Sequence, residues 1–106
     1  MKPIDHRRHP RIPFREMVRV SWEDRGGHLC MVRGKTIDRS KTGLVLETTD
    51  PIEPRTFLQV QVERQGLLGM ACVRHCAPKG LRYVVGLEFA RDVRWKDEPA
   101  SAGVKG

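Results

Sequence analysis

Long apolar runs are missing from this chain. None of its 106 residues belongs to a stretch of about 18 consecutive apolar residues, the length a helix needs to cross a bilayer. Met1 to Asp5 has nothing of the apolar core of a signal peptide, and the expected location is the cytoplasm. Cysteine is limited to Cys30, Cys72 and Cys76, an odd number in no regular framework. That argues against a disulfide-stapled secreted domain and for reduced, buried thiols. Aromatic residues make up only 6% of the chain, too few for a row of base-stacking platforms. Catalytic patterns are absent too. No Ser/His/Asp arrangement, no carboxylate pair flanking a cleft and no glycine-rich phosphate loop ahead of a helix can be read, and no enzyme is expected.

Negative charge is also in deficit. Twenty Lys and Arg face 13 Asp and Glu, a net charge of +7. The first 15 residues hold five of the cations, Lys2, Arg7, Arg8, Arg11 and Arg15, against Asp5 alone. An anionic partner follows, and nucleic acid, an anionic lipid surface, an acidic protein or a phosphorylated small molecule would each satisfy the charge.

Beyond the basic leader, hydrophobicity repeats every two residues rather than every 3.6, the spacing of half-buried strands. Val18, Val20 and Trp22 alternate with polar residues over 17–23, and Leu58, Val60 and Val62 over 56–63. Further strands are predicted over 28–37, 44–48, 67–77 and 81–89. The turns are Asp24 to Gly27, Asp38 to Gly43, Asp50 to Pro54, Arg64 to Gly66 and Pro78 to Gly80. Gly34 reads as a bulge or a close backbone approach. The fold class is all-β, a small six-stranded antiparallel barrel or sandwich, and a barrel would leave no exposed edges. From Ala90 onward the pattern fails, leaving at most a short helical turn and a frayed tail. The divisions are a leader over 1–16, a β-domain over 17–90 and a tail over 91–106.

Two polar signals lie outside any core pattern: Arg7-Arg8-His9-Pro10-Arg11, and Asp38-Arg39-Ser40-Lys41-Thr42-Gly43 between two strands. Arginine forks grip phosphate oxygens and the O6/N7 edge of guanine, and a nearby carboxylate accepts from guanine N1 and N2. Pro10 and Pro13 keep the leader extended. Read alone, the arginines are a solvated basic arm, while Asp38 and Ser40 are turn formers with Gly43 supplying positive φ.

Arg7-xxx-Arg11 followed by Asp38-x-Ser40-xx-Gly43, with Gly86-Leu87-Glu88-Phe89 ending the last strand, resembles the paired signature of PilZ domains, bacterial receptors for cyclic di-GMP. The resemblance covers roughly residues 6 to 90. It implies a six-stranded antiparallel β-barrel whose arginine leader folds over a ligand on the barrel surface. Arg7 and Arg11, with Arg8 beside them, would hold guanine edges and phosphates. Asp38 and Ser40 would contact guanine and phosphate, and Gly43 would allow the tight return. The resemblance implies cyclic di-GMP as the ligand, with no cofactor and no metal. A downstream protein partner is expected, no membrane contact is, and a homodimer stays open. Two other classes compete: a basic β-barrel binding single-stranded nucleic acid, and a ligand-free protein-interaction module.

Cys72-xxx-Cys76 with His75 has zinc-type donors but no second ligand pair at metal spacing. On an uninterrupted strand, Cys72 and Cys76 share one face as core thiols and His75 takes the other. Trp22 reads as a core anchor and Trp95 as a rim contact.

Overall fold

The computed structural model describes residues 12–93 and Trp95. Seven strands account for most of them: β1 Ile12–Pro13, β2 Met17–Glu23, β3 Leu29–Arg39, β4 Gly43–Thr48, β5 Phe57–Val62, β6 Gly66–Lys79 and β7 Arg82–Phe89. All pairings are antiparallel. They run β3-β2-β5-β6-β7-β4, and β4 returns to β3, which closes a six-stranded barrel. The spacing of strands and turns predicts an antiparallel barrel or sandwich, the resemblance implies the barrel, and the barrel is what forms. The short β1 is an addition, paired to β3 on the same side as β2.

Alternation drives each strand into place. Val18 and Val20 of β2, Leu44 and Leu46 of β4, Leu58, Val60 and Val62 of β5, and Val85 and Leu87 of β7 are all buried in one core. Each such side chain contributes about 1.5–3 kcal/mol relative to exposure. Among the described residues, closure leaves β1 as the one extra strand outside the ring, and it is only two residues long. Among the described residues there is no helix.

Several local expectations change. The bulge in β3 is not at Gly34. Register slips between Thr36 and Asp38, leaving Ile37 as the extra residue. Gly34 is instead a close approach, since a Cβ there would sit 2.5 Å from the carbonyl oxygen of Glu47. Pro78 and Lys79 belong to β6, so the last hairpin turns on Gly80-Leu81. Gly80, at the first central position, has φ 61°, as a two-residue turn of type II′ requires. The C-terminal segment does not fray at once. Val93 N–H donates to Lys41 O at 2.8 Å, and Val93 and Trp95 are both buried. The two tryptophans exchange their expected places: Trp95 is 3% exposed against Phe14 and Phe89, while Trp22 is only half-buried.

Between β1 and β2 the chain leaves β3, and the side chain of Thr36 fills the gap. Its buried hydroxyl donates to Phe14 O at 2.7 Å and accepts from Glu16 N–H at 2.7 Å. Phe14 N–H bonds to Ile37 O and Thr36 N–H to Glu16 O. The backbone groups freed by the break are thereby satisfied, as buried polar groups must be.

Candidate functional site

The bulge at Ile37 decides which way the Asp38 segment faces. In a regular strand Thr36 and Asp38 would share a face. The slip instead pairs Thr36 with Leu46, Asp38 with Val45 and Arg39 with Leu44. Leu44 and Leu46 are core residues, so Thr36 and Arg39 both turn inward and Asp38 is re-aimed onto the outer surface.

On that surface the register lines up one row across four strands. Asp38 lies opposite Val45, Val45 opposite Gly86, and Gly86 opposite His75. Gly86 faces outward yet is buried, because the imidazole of His75 lies over it where a Cβ would project. The row has a carboxylate at one end and, at the other, an imidazole ring lying over Gly86. In the adjoining outer row, Arg74 Nε donates to Glu88 Oε1 at 2.5 Å.

The loop after Asp38 is a tightly tied turn. Ser40 N–H donates to Gly43 O at 2.9 Å, and Ser40 Oγ accepts from the N–H groups of Gly43 (3.1 Å) and Thr42 (3.2 Å). Its three carbonyls are held from the C-terminal side: Ser40 O by Trp95 Nε1 (3.0 Å), Lys41 O by Val93 N–H and Thr42 O by Phe89 N–H. Gly43 opens β4 as extended backbone paired with Glu88. The positive-φ glycines among the described residues are Gly27, Gly66, Gly69 and Gly80, so Gly43 does not supply the expected left-handed turn.

Beneath the turn, Arg39 is 7% exposed. Its guanidinium lies 4.3 Å from the ring centre of Phe14 and 4.8 Å from that of Trp95. A desolvated cation over two aromatic faces is held by the ring quadrupoles. The stack joins three separate parts of the chain: the residue after β1, the end of β3 and the C-terminal segment.

Asp38, Ser40 and Gly43 are therefore brought together, with different work to do. Asp38 faces out, while Ser40, 5% exposed, shapes the turn from within. Arg7, Arg8 and Arg11 lie outside the described residues. The chain comes into view at Ile12, whose register partner is Arg39, and Pro13 lies opposite Asp38. Ile12 and Pro13 thus lie beside the Asp38 turn.

Sequence reasoning missed Arg39, Val45, Gly86 and His75 as neighbours of this turn. Gly86 was visible in the Gly-Leu-Glu-Phe ending. His75 was not, because a second bulge, at Arg74, sets its register. That bulge also separates the two cysteines. Cys72 pairs with outward Glu88, whereas Cys76 pairs with inward Val85 and packs against the core. They do not share a face. Among the described residues no three His, Cys, Asp or Glu side chains are grouped to hold a metal ion.

Residues 5–98 match the family model of the PilZ domain. No curated protein sequence matches the chain. Among solved structures, the chain is similar to the PilZ domain with c-di-GMP of YcgR from Escherichia coli. That match has a TM-score of 0.60 at 12% identity over 81% of this chain and 79% of that one. The K. pneumonia MrkH–c-di-GMP complex is similar at TM-score 0.57 and 13% identity, over 88% of this chain and 45% of that one. At such identities the likeness is one of fold.

Proposed function

The chain belongs to the PilZ domain family, and on that premise we propose that it is a receptor for cyclic di-GMP that performs no chemistry of its own. The observation that supports the reading is the register of β1: Ile12 opposite Arg39 and Pro13 opposite Asp38 bring the chain just after Arg11 beside the re-aimed carboxylate. A ligand with two guanines and two phosphates would lie on the Val45–Gly86 strip. Asp38 accepts from a guanine N1/N2 edge, His75 stacks at the far end, and Arg7, Arg8 and Arg11 close over the phosphates and the O6/N7 edges. Ser40 contributes by shaping the turn. Two bidentate arginine contacts at about 1–3 kcal/mol each supply a large share of the roughly 8 kcal/mol of micromolar binding.

In this mechanism the ligand orders the leader across the barrel and creates a surface that a downstream protein reads. The solved structures of YcgR and MrkH with c-di-GMP support the choice of ligand. Calorimetric titration tests it, with GMP and single-stranded RNA as controls, on the wild type and an Arg7→Ala/Arg11→Ala variant. Selective binding near or below micromolar that disappears in the variant is expected. No heat from cyclic di-GMP together with salt-sensitive RNA binding would replace the reading with a nucleic-acid one. Unchanged amide exchange over residues 5–14 at saturating ligand would remove leader ordering from the mechanism.

A further inference from the structure

On the outer face of β2 and β3, beside the candidate ligand strip, Arg19 stands directly opposite Arg33 and Met17 directly opposite Lys35. Like charges directly opposed across an antiparallel pair disfavour the fold, so this arrangement is not explained by barrel stability. The same face continues into a groove of about 540 Å³ lined by Arg15, Arg33, Lys35, Arg82 and Met17, among others. Among the described residues none of Arg15, Arg19, Arg33, Lys35 and Arg82 has a carboxylate within ion-pair distance. The one acid lining that groove, Glu47, is engaged by Lys79 at 3.8 Å. Glu63 lines the neighbouring hollow with Arg19 and Arg33 and does not pair with either.

We propose that this face is a docking surface for an acidic segment of a protein partner, its carboxylates gripped by Arg19, Arg33 and Arg82 and an apolar side chain seated on Met17. Charge complementarity selects the occupant. Guanidinium forks match carboxylates two-pronged; Arg15, Arg33 and Arg82 line the groove, and Arg19 lines the adjoining hollow together with Arg33. Single-stranded nucleic acid fits less well, because no aromatic side chain lines the groove to stack a base. A flat anionic bilayer leaves a concave groove unfilled. A second copy of a chain with net charge +7 would meet the groove with like charge. The surface is independent of the ligand reading: Arg19 and Arg33 lie off the Asp38–His75 row.

The test measures fluorescence anisotropy of a labelled glutamate-rich peptide carrying two leucines against the full chain. Single-stranded DNA and phosphatidylserine vesicles serve as competing probes. Arg19→Glu/Arg33→Glu is compared with Arg64→Glu/Arg91→Glu, which lowers the net charge equally at exposed positions elsewhere. The first pair is expected to weaken peptide binding by about tenfold or more, and the second by less than about twofold, with cyclic di-GMP titrations unchanged in both. Equal losses in the two variants would reduce the effect to net charge and overturn the proposal. So would absence of saturable peptide binding by the wild type, or tighter binding of DNA or vesicles than of peptide. Light scattering that showed a dimer broken by Arg19→Glu/Arg33→Glu would assign the face to a second copy instead.

Discussion

Arg39 is the residue on which the site's geometry turns. Two aromatic faces hold it, and both depend on a planar, weakly hydrated cation. Lysine keeps the charge but loses the stacking plane and dehydrates poorly. Arg39→Lys is therefore expected to cost about 1–2 kcal/mol in urea unfolding, a partly desolvated cation–π pair's worth. Two glycines make a sharper contrast. A methyl group at Gly34 meets backbone, the Glu47 carbonyl, and β3 and β4 would have to part. Gly34→Ala is expected to destabilise by about 1–3 kcal/mol. At Gly86 the nearest atoms a methyl group meets are those of the His75 ring, the far end of an exposed side chain that can swing away. Gly86→Ala is expected to leave the thermal midpoint nearly unchanged while weakening cyclic di-GMP binding about tenfold, ~1.4 kcal/mol by calorimetry. A fall in stability with unchanged affinity would take the ligand off this strip.

At the scale of elements, the β2–β3 hairpin carries a pH signature. Asp24 Oδ1 accepts from the N–H groups of His28 and Gly26, both at 2.9 Å, in a turn with Gly27 at φ 82°. The His28 N–H bond is the largest influence on the carboxyl and lowers its pKa. Partial desolvation opposes it, and the Gly26 N–H and the His28 imidazole add to the lowering. A carboxyl held below its unfolded value of about 3.9 stabilises the fold above that pH and gives up the contribution as pH falls through the folded value. Asp24→Asn should therefore lower the urea midpoint at neutral pH, and its difference from the wild type should shrink below about pH 4. A pH-independent difference would leave the carboxylate's charge out of the turn's stability. Most of these elements were legible beforehand, because period-two burial in β2, β5 and β7 is written into Val18/Val20, Leu58/Val60/Val62 and Val85/Leu87. The bulges at Ile37 and Arg74 were not. An inserted residue leaves no mark in composition, yet each reverses the facing of everything after it, which is why Asp38, His75 and Cys76 could be placed only from the register.

Over the whole molecule, the barrel is fastened at one end by residues outside its ring of strands. Phe14 comes from the N-terminal side and Val93 and Trp95 from the C-terminal side; all three join the core, and Phe14 and Trp95 meet over Arg39. Trp95 stands apart from any alternating pattern, and its burial depends on tertiary contacts alone. A chain ending at Ala90 should lose at least the roughly 3–5 kcal/mol typical of removing a buried tryptophan, a large part of a small domain's 5–15 kcal/mol. Thermal unfolding would show a strongly lowered midpoint. An unchanged midpoint would mean that the segment merely rests on the barrel.

The bond from Trp95 Nε1 to Ser40 O gives the protein a built-in optical reporter. One of its two tryptophans is wired to the turn that follows Asp38 and sits against a guanidinium, while Trp22 lies on β2 within the barrel wall. Strain that a bound anion puts on that turn reaches the indole through this hydrogen bond and through the Arg39 stack. Cyclic di-GMP should thus shift the intrinsic emission of the unlabelled wild type and leave a Trp95→Phe variant dark to the same titration.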